Sequence, residues 1–199
     1  RLVSTKQKQM SSREKILATC TANKPALVDL PQLSDEYLTH YDDKIAQFKF
    51  VLESIGGKVV ALENIEQVKE EIATHKQSGE FVVDTVFSID VALKTQTSFD
   101  LERVDRAYLQ ATLGVAENGS VWLYEAQMGN RLLPFICQHL FIVLNKATLV
   151  DNMYQAYQKL NITETGFGVF IAGPSKTADI EQSLVIGAHG ARSLTVYLV

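Results

Sequence analysis

The sequence predicts an α/β fold: a mostly parallel sheet flanked by helices, preceded by an α-helical N-terminal arm. Three observations carry this reading. From residue 140 onward, strand-like apolar runs alternate with segments of helical spacing, the pattern of parallel strands joined by right-handed crossovers. Leu140–Leu144 and Gly168–Ala172 are uninterrupted apolar runs, as expected of strands covered on both faces. Finally, 199 residues with 46% apolar and 21% charged side chains form an ordinary globular mix. A chain of that length buries about 70% of the surface it exposes when unfolded.

The elements follow in order. Residues 1–33 read as the peripheral arm, with a short helix near Ser11–Cys20 and then a proline-containing stretch; residues 34–199 read as one domain. A helix is expected over Ser34–Ile55, where Leu38, Tyr41, Ile45, Phe48, Leu52 and Ile55 recur at spacings of three and four. Gly56 and Gly57 supply the backbone freedom to stop it. Lys58–Leu62 reads as a strand, Ile65, Val68 and Ile72 mark a second helix, and Phe81–Val83 is a further strand. The pattern from Asp84 to Leu101 is irregular. Ala107–Ala116 and Ser120–Tyr124 are strands joined by Glu117-Asn118-Gly119, and Asn-Gly is a strong signal for a tight hairpin. After the Leu140–Leu144 strand, Val150, Met153, Tyr157 and Leu160 lay a stripe on a helix. The strand Gly168–Ala172, a helix over Thr177–Ile186 and a last strand over Ser193–Val199 complete the chain.

Composition narrows the function. The net charge is −4, with both signs scattered, whereas nucleic-acid and anionic-membrane surfaces need concentrated Lys and Arg. No apolar run approaches the roughly 18 residues needed to cross a bilayer. The first 20 residues lack the apolar stretch of a secretion signal, so a cytoplasmic location is expected; a chain beginning at Arg1 is also compatible with a trimmed leader. The two cysteines, Cys20 and Cys137, cannot by themselves hold an iron–sulfur cluster, and no His/Cys spacing suggests zinc. No metal or cofactor is therefore expected in this chain.

The most informative segment is Gly173-Pro174-Ser175-Lys176-Thr177-Ala178-Asp179-Ile180-Glu181. It follows a predicted buried strand and opens a predicted helix, and ligands bind at that carboxyl edge in open α/β sheets. Ser175 and Thr177 can cap the helix, and exposed N–H groups with Lys176 favour an anion. The same residues also make a well-capped helix with Asp179 and Glu181 complementing its dipole. Gly187-Ala188-His189-Gly190-Ala191-Arg192 forms the next turn. There His189 can exchange protons or simply sit at a helix terminus, and Arg192 can fork onto a carboxylate or phosphate or form a surface ion pair. Glu117, Asn118 and Ser120 make a compact polar corner or merely a hairpin turn. Arg131 is a loop arginine, His40 and His75 lie on polar helix faces, His139 begins a buried strand, and Trp122 reads as core.

Taken together, the 173–181 block, the Gly187-Ala-His-Gly-x-Arg192 block and the terminal apolar strand resemble the LUD-domain family, within it the lactate-utilisation protein C group. Gly114-Val-Ala-Glu-Asn-Gly-Ser-Val-Trp-Leu is similar to that family's strand-turn, Ser12–Leu17 to its usual opening, and Arg131 falls where it has an arginine before its buried strand. Asn118 and Ser120 stand where the family has threonine, and Ala191 where it has proline. The resemblance implies a fold like that of the sugar-phosphate isomerase and coenzyme A transferase superfamily. It also implies a role in oxidising L-lactate to pyruvate as the cluster-free member of a system whose partner proteins carry iron–sulfur clusters. A stand-alone isomerase, cyclo-ligase or acyl/coenzyme A transferase acting on a small anionic metabolite is the competing expectation, and a ligand-free scaffold is the third. If the blocks converge, one polar cleft at the carboxyl end of the sheet would gather Glu117, Asn118, Ser120, Arg131, Ser175, Lys176, Thr177, Asp179, His189 and Arg192. Glu117 and His189 would then be the candidate proton-transfer groups. The turn holding His189 and Arg192 closes a crossover helix, so topology alone puts it at the opposite edge.

Overall fold

A computed structural model describes residues 10–29, 33–161, 166–178 and 184–199. The chain divides into two compact units, residues 1–35 and 36–199. In the first, α1 (Ser12–Ala22) begins with a capping box: Glu14 N donates to Ser11 Oγ at 3.2 Å, and Ser11 N donates to Glu14 Oε2 at 2.7 Å. No residue of α1 is buried.

The second unit opens with a 3₁₀ turn and then α2 (Lys44–Ser54), not the single long helix that the apolar stripe predicts. The Asp43 carboxylate caps the helix by accepting from Ala46 N at 2.9 Å, and the residues before it are tied elsewhere. Tyr41 N donates to Asp151 and Thr39 O accepts from Asn152 Nδ2, so residues 39–41 are not available to a helical ladder. Phe48 and Leu52 are fully buried, and Gly56 ends the turn at φ 92°. Next come β1 (Lys58–Ala61), α3 (Glu66–Gln77), β2 (Val82–Asp84), a 3₁₀ segment (Val91–Thr95), α4 (Ser98–Leu101) and β3 (Arg106–Gln110). The predicted Ala107–Ala116 strand is in fact two. Ala111 N still bonds Val143 O, but Thr112 N bonds Trp122 O, and the chain crosses there into another sheet as β4 (Leu113–Val115). After the Asn-Gly turn come β5 (Ser120–Tyr124), α5 (Glu125–Met128), α6 (Leu133–Ile136), β6 (His139–Leu144), β7 (Leu149–Val150) and α7 (Met153–Lys159). The chain ends with β8 (Gly168–Ile171), β9 (Lys176–Ala178), β10 (Leu184–Ile186) and β11 (Ser193–Leu198).

The central sheet is entirely parallel, in the order β1-β11-β6-β3-β2. Its central strands β6 and β11 are buried along nearly their whole length because both faces are covered. On one face Phe141, Val143 and Tyr197 pack under Val68 and Ile72 of α3; on the other Leu140, Ile142 and Leu144 join the main core with Phe48, Leu52, Val121 and Leu123. A second, mixed sheet runs β7-β4-β5-β8, and Ala156 and Leu160 from the α7 region cover Leu113, Val115 and Trp122.

Two expectations are corrected here. The Gly168–Ala172 run lies outside the parallel sheet: as β8 it is a half-buried edge strand antiparallel to β5. Gly168 is required where it pairs, since a Cβ there would fall 2.2 Å from the Trp122 ring. Nor do the described residues of the predicted Thr177–Ile186 helix form one: β9 and β10 pair antiparallel, Thr177 opposite Val185 and Lys176 opposite Ile186. The β-branched Thr177, Val185 and Ile186 favour that extended pairing.

Candidate functional site

The two blocks that stand out in the sequence do meet. Ser175 N donates to Ala191 O at 2.9 Å, and Gly187 N donates to Ser175 O at 3.0 Å, so Ser175 is held between both ends of the 187–191 turn. Gly190 permits the approach, because a Cβ there would lie 3.1 Å from Ser175 Cβ. The result is a groove of about 380 Å³ with Ser175, Lys176, Thr177 and His189 on one side and Phe135 and Phe170 as apolar wall. Lys176 reaches over the α2–β1 turn, its Nζ 3.0 Å from where a Gly56 Cβ would stand. The arrangement offers a cation, an imidazole and two hydroxyls beside an apolar surface, which suits a small carboxylate or similar anion. Among the described residues no helix begins here, so the groove rests on its side chains. The groove also abuts Leu140 and Ala191, the starts of β6 and β11, which puts it at the amino edge of the central sheet instead of the carboxyl edge expected.

The remaining predicted residues lie apart from this groove. Arg131 forks onto Glu125, Nε to Oε1 at 2.6 Å and a terminal nitrogen to Oε2 at 2.9 Å, and lies 5.1 Å from the Phe167 ring centre. That pairing holds the Glu125 carboxyl below the usual carboxylate range. The pair lines a cavity of about 530 Å³ with Lys94, Gln96 and Asn130. Asn130 pins the neighbouring 3₁₀ segment by donating to Leu93 O and Gln96 O. Glu117 caps α7, its Oε2 accepting from Met153 N at 2.9 Å. Asn118 Oδ1 accepts from Ser120 N at 3.0 Å and from Ser120 Oγ at 2.6 Å, so both residues are spent closing the hairpin. Arg192 lines a different cavity, beside His139. Asp179 lies outside the described residues.

Sequence reading missed the polar chemistry on the α3 face. The Glu71 carboxylate accepts from Tyr108 Oη at 2.9 Å and from Tyr197 Oη at 2.7 Å, and the Tyr108, Phe141 and Tyr197 rings stack across three strands. His75, expected to be solvated, has a side chain only 24% exposed, with Nδ1 3.1 Å from Glu80, which also pairs with Arg106. Glu71 and His75 stand at i and i+4, a spacing visible in the sequence; their tyrosine and arginine partners are not. Cys137 is buried, which pushes its thiol up to about 12, so it makes no reactive pair with His139. His139 instead shares a hydrogen bond with Ser193 Oγ at 2.8 Å.

A family model described as the LUD domain matches residues 75–199, well over half of the chain. The chain belongs to the LUD-domain family. Lactate utilization protein C of Bacillus pumilus is 39% identical to it over 82 residues, covering 38% of this chain and 34% of that protein. Its counterpart in Oceanobacillus iheyensis is 28% identical over 116 residues, covering 55% and 50%. This LUD-domain chain thus spans about a third to a half of the length of those relatives. A crystal structure of a DUF162 family protein from Deinococcus radiodurans matches with a TM-score of 0.60 at 18% identity, over 78% of this chain and 96% of that one, which shows a shared fold. Among the described residues, no helix is long and apolar enough to cross a membrane.

Proposed function

We propose that this LUD-domain chain serves lactate utilisation as the cluster-free component of a cytoplasmic system that oxidises L-lactate to pyruvate. The observation that carries the reading is the run of relatives named for lactate utilisation, aligned over part of the chain. In this reading, iron–sulfur proteins carry the electrons, and the LUD domain binds a small carboxylate in the Lys176 groove. Lys176 meets the carboxylate charge, Ser175 and Thr177 orient it, and Phe135 and Phe170 cover its apolar side. The competing reading of a stand-alone enzyme for anionic metabolites draws on a helix N-terminus with Lys176 and on carboxylates such as Glu117 and Glu181; the Lys176 segment is strand β9, and Glu117 caps α7.

A deletion strain carrying the iron–sulfur partners tests the proposal. Growth on L-lactate should fail without this chain and return when it is supplied, whereas growth on glucose should be unaffected. The Lys176→Ala variant, folded normally, should restore growth poorly. Full growth of the deletion strain on lactate would overturn the role itself. Full rescue by Lys176→Ala would overturn the groove as its binding site.

A further inference from the structure

We propose that the amino edge of the central sheet carries a separate pocket for a phosphate-type oxyanion, built on Arg192, His139 and Arg106. The parallel register creates it. Arg106 stands opposite His139 where β3 meets β6, and His139 stands opposite Ser193, the neighbour of Arg192, where β6 meets β11. Two adjacent strands therefore begin with a basic side chain at one edge, and a third basic residue, Arg192, directly precedes β11. Arg192 N donates to Gln138 O at 2.8 Å, which fixes the Arg192 backbone beside His139. A cavity of about 380 Å³ opens between these strand starts and the end of α3, with Ser78, Gly79 and Glu80 on the far side.

The nearby acids are already committed. Glu80 is taken by Arg106 and His75, and Asp105 accepts from Phe81 N at 2.8 Å. By contrast, the Arg192 guanidinium has no acceptor among the described residues. Burial, with the charges of Arg106 and Arg192, holds the His139 imidazole below its usual value. The Arg192 guanidinium and the His139 imidazole, with Arg106 beside them in its pair with Glu80, offer a compact tetrahedral anion several N–H donors, whereas a monocarboxylate needs a single fork. The pocket and the Lys176 groove share no lining residue, so this proposal stands independently of the lactate growth experiment.

Nuclear magnetic resonance of the full chain, labelled at histidine, provides the test. Sodium phosphate should shift the His139 ring signals saturably, and sodium chloride at matched ionic strength should not. Arg192→Gln, at an exposed position, should weaken phosphate binding by about tenfold or more, and Arg192→Lys should recover part of it. A His139 response to phosphate no larger than that to chloride would overturn the proposal. So would equal phosphate affinity in Arg192→Gln, or saturable binding of L-lactate with none of phosphate.

Discussion

Gly119 occupies a position that no other residue fits well. Its φ is 68°, and a Cβ would lie 2.9 Å from the backbone nitrogen of Leu52 in α2. Left-handed backbone costs an L-residue roughly 1 kcal/mol and overpacking adds about 1–3 kcal/mol, so Gly119→Ala should destabilise by about 2–4 kcal/mol. The urea midpoint would report this, and a loss under about 0.5 kcal/mol would mean the turn is not docked on α2. The hairpin itself was legible, because Asn-Gly is a local signal. Its docking on Leu52 was not, since nothing in either segment names the other. The same limit applies to the candidate site. Ser175, Lys176, Thr177 and His189 could be singled out from two short blocks, and the structure brings those four together. Glu117, Asn118 and Ser120 stood out for their polarity, yet that polarity is consumed by a helix cap and a turn, whose partners appear only once the chain is folded.

At the scale of elements, Asp151 ties the segment before α2 to the start of α7. Its carboxylate accepts from Tyr41 N at 3.1 Å and lies 3.4 Å from His40 Nδ1 and 4.0 Å from Lys44 Nζ. Burial would push this carboxyl up, but the Tyr41 N–H, Lys44, Gln155 and His40 outweigh it and hold it below the usual range. A folded value below the unfolded one stabilises above the ordinary carboxylate range, near pH 4, and is lost as pH falls through the folded value. Asp151→Asn should therefore lower the urea midpoint at pH 7, and the gap from wild type should shrink toward pH 3. A gap that persists unchanged at pH 3 would show that the carboxylate charge does not supply the grip. This tie also explains why the Ser34–Ile55 stripe overshot. Leu38 and Tyr41 keep helical spacing, but Tyr41 N and Thr39 O bond to a segment more than a hundred residues away. The predicted Thr177–Ile186 helix fails for the opposite reason: the segment has no strong period, and its β-branched Thr177, Val185 and Ile186 favour the extended pairing of β9 with β10.

For the whole molecule, every buried apolar side chain among the described residues lies in the 36–199 unit. A chain comprising 36–199 alone is therefore expected to unfold cooperatively, within a few degrees of the full chain by calorimetry. A shift of ten degrees or more would show that the first unit carries real stability. The parallel sheet was legible because residues buried on both faces leave long apolar runs, whereas the order of its strands leaves no such trace. That order matters for how the protein is made. After β2 the chain works back across the sheet, and β11 slots between β6 and β1, pairing Thr195 with Lys58. During synthesis at about 5–20 residues per second, β1 thus emerges roughly 7–27 seconds before β11, its neighbour in the sheet, exists. Throughout that interval the ribosome holds an apolar strand with an open edge, the state most exposed to mispairing and most dependent on a chaperone's grip.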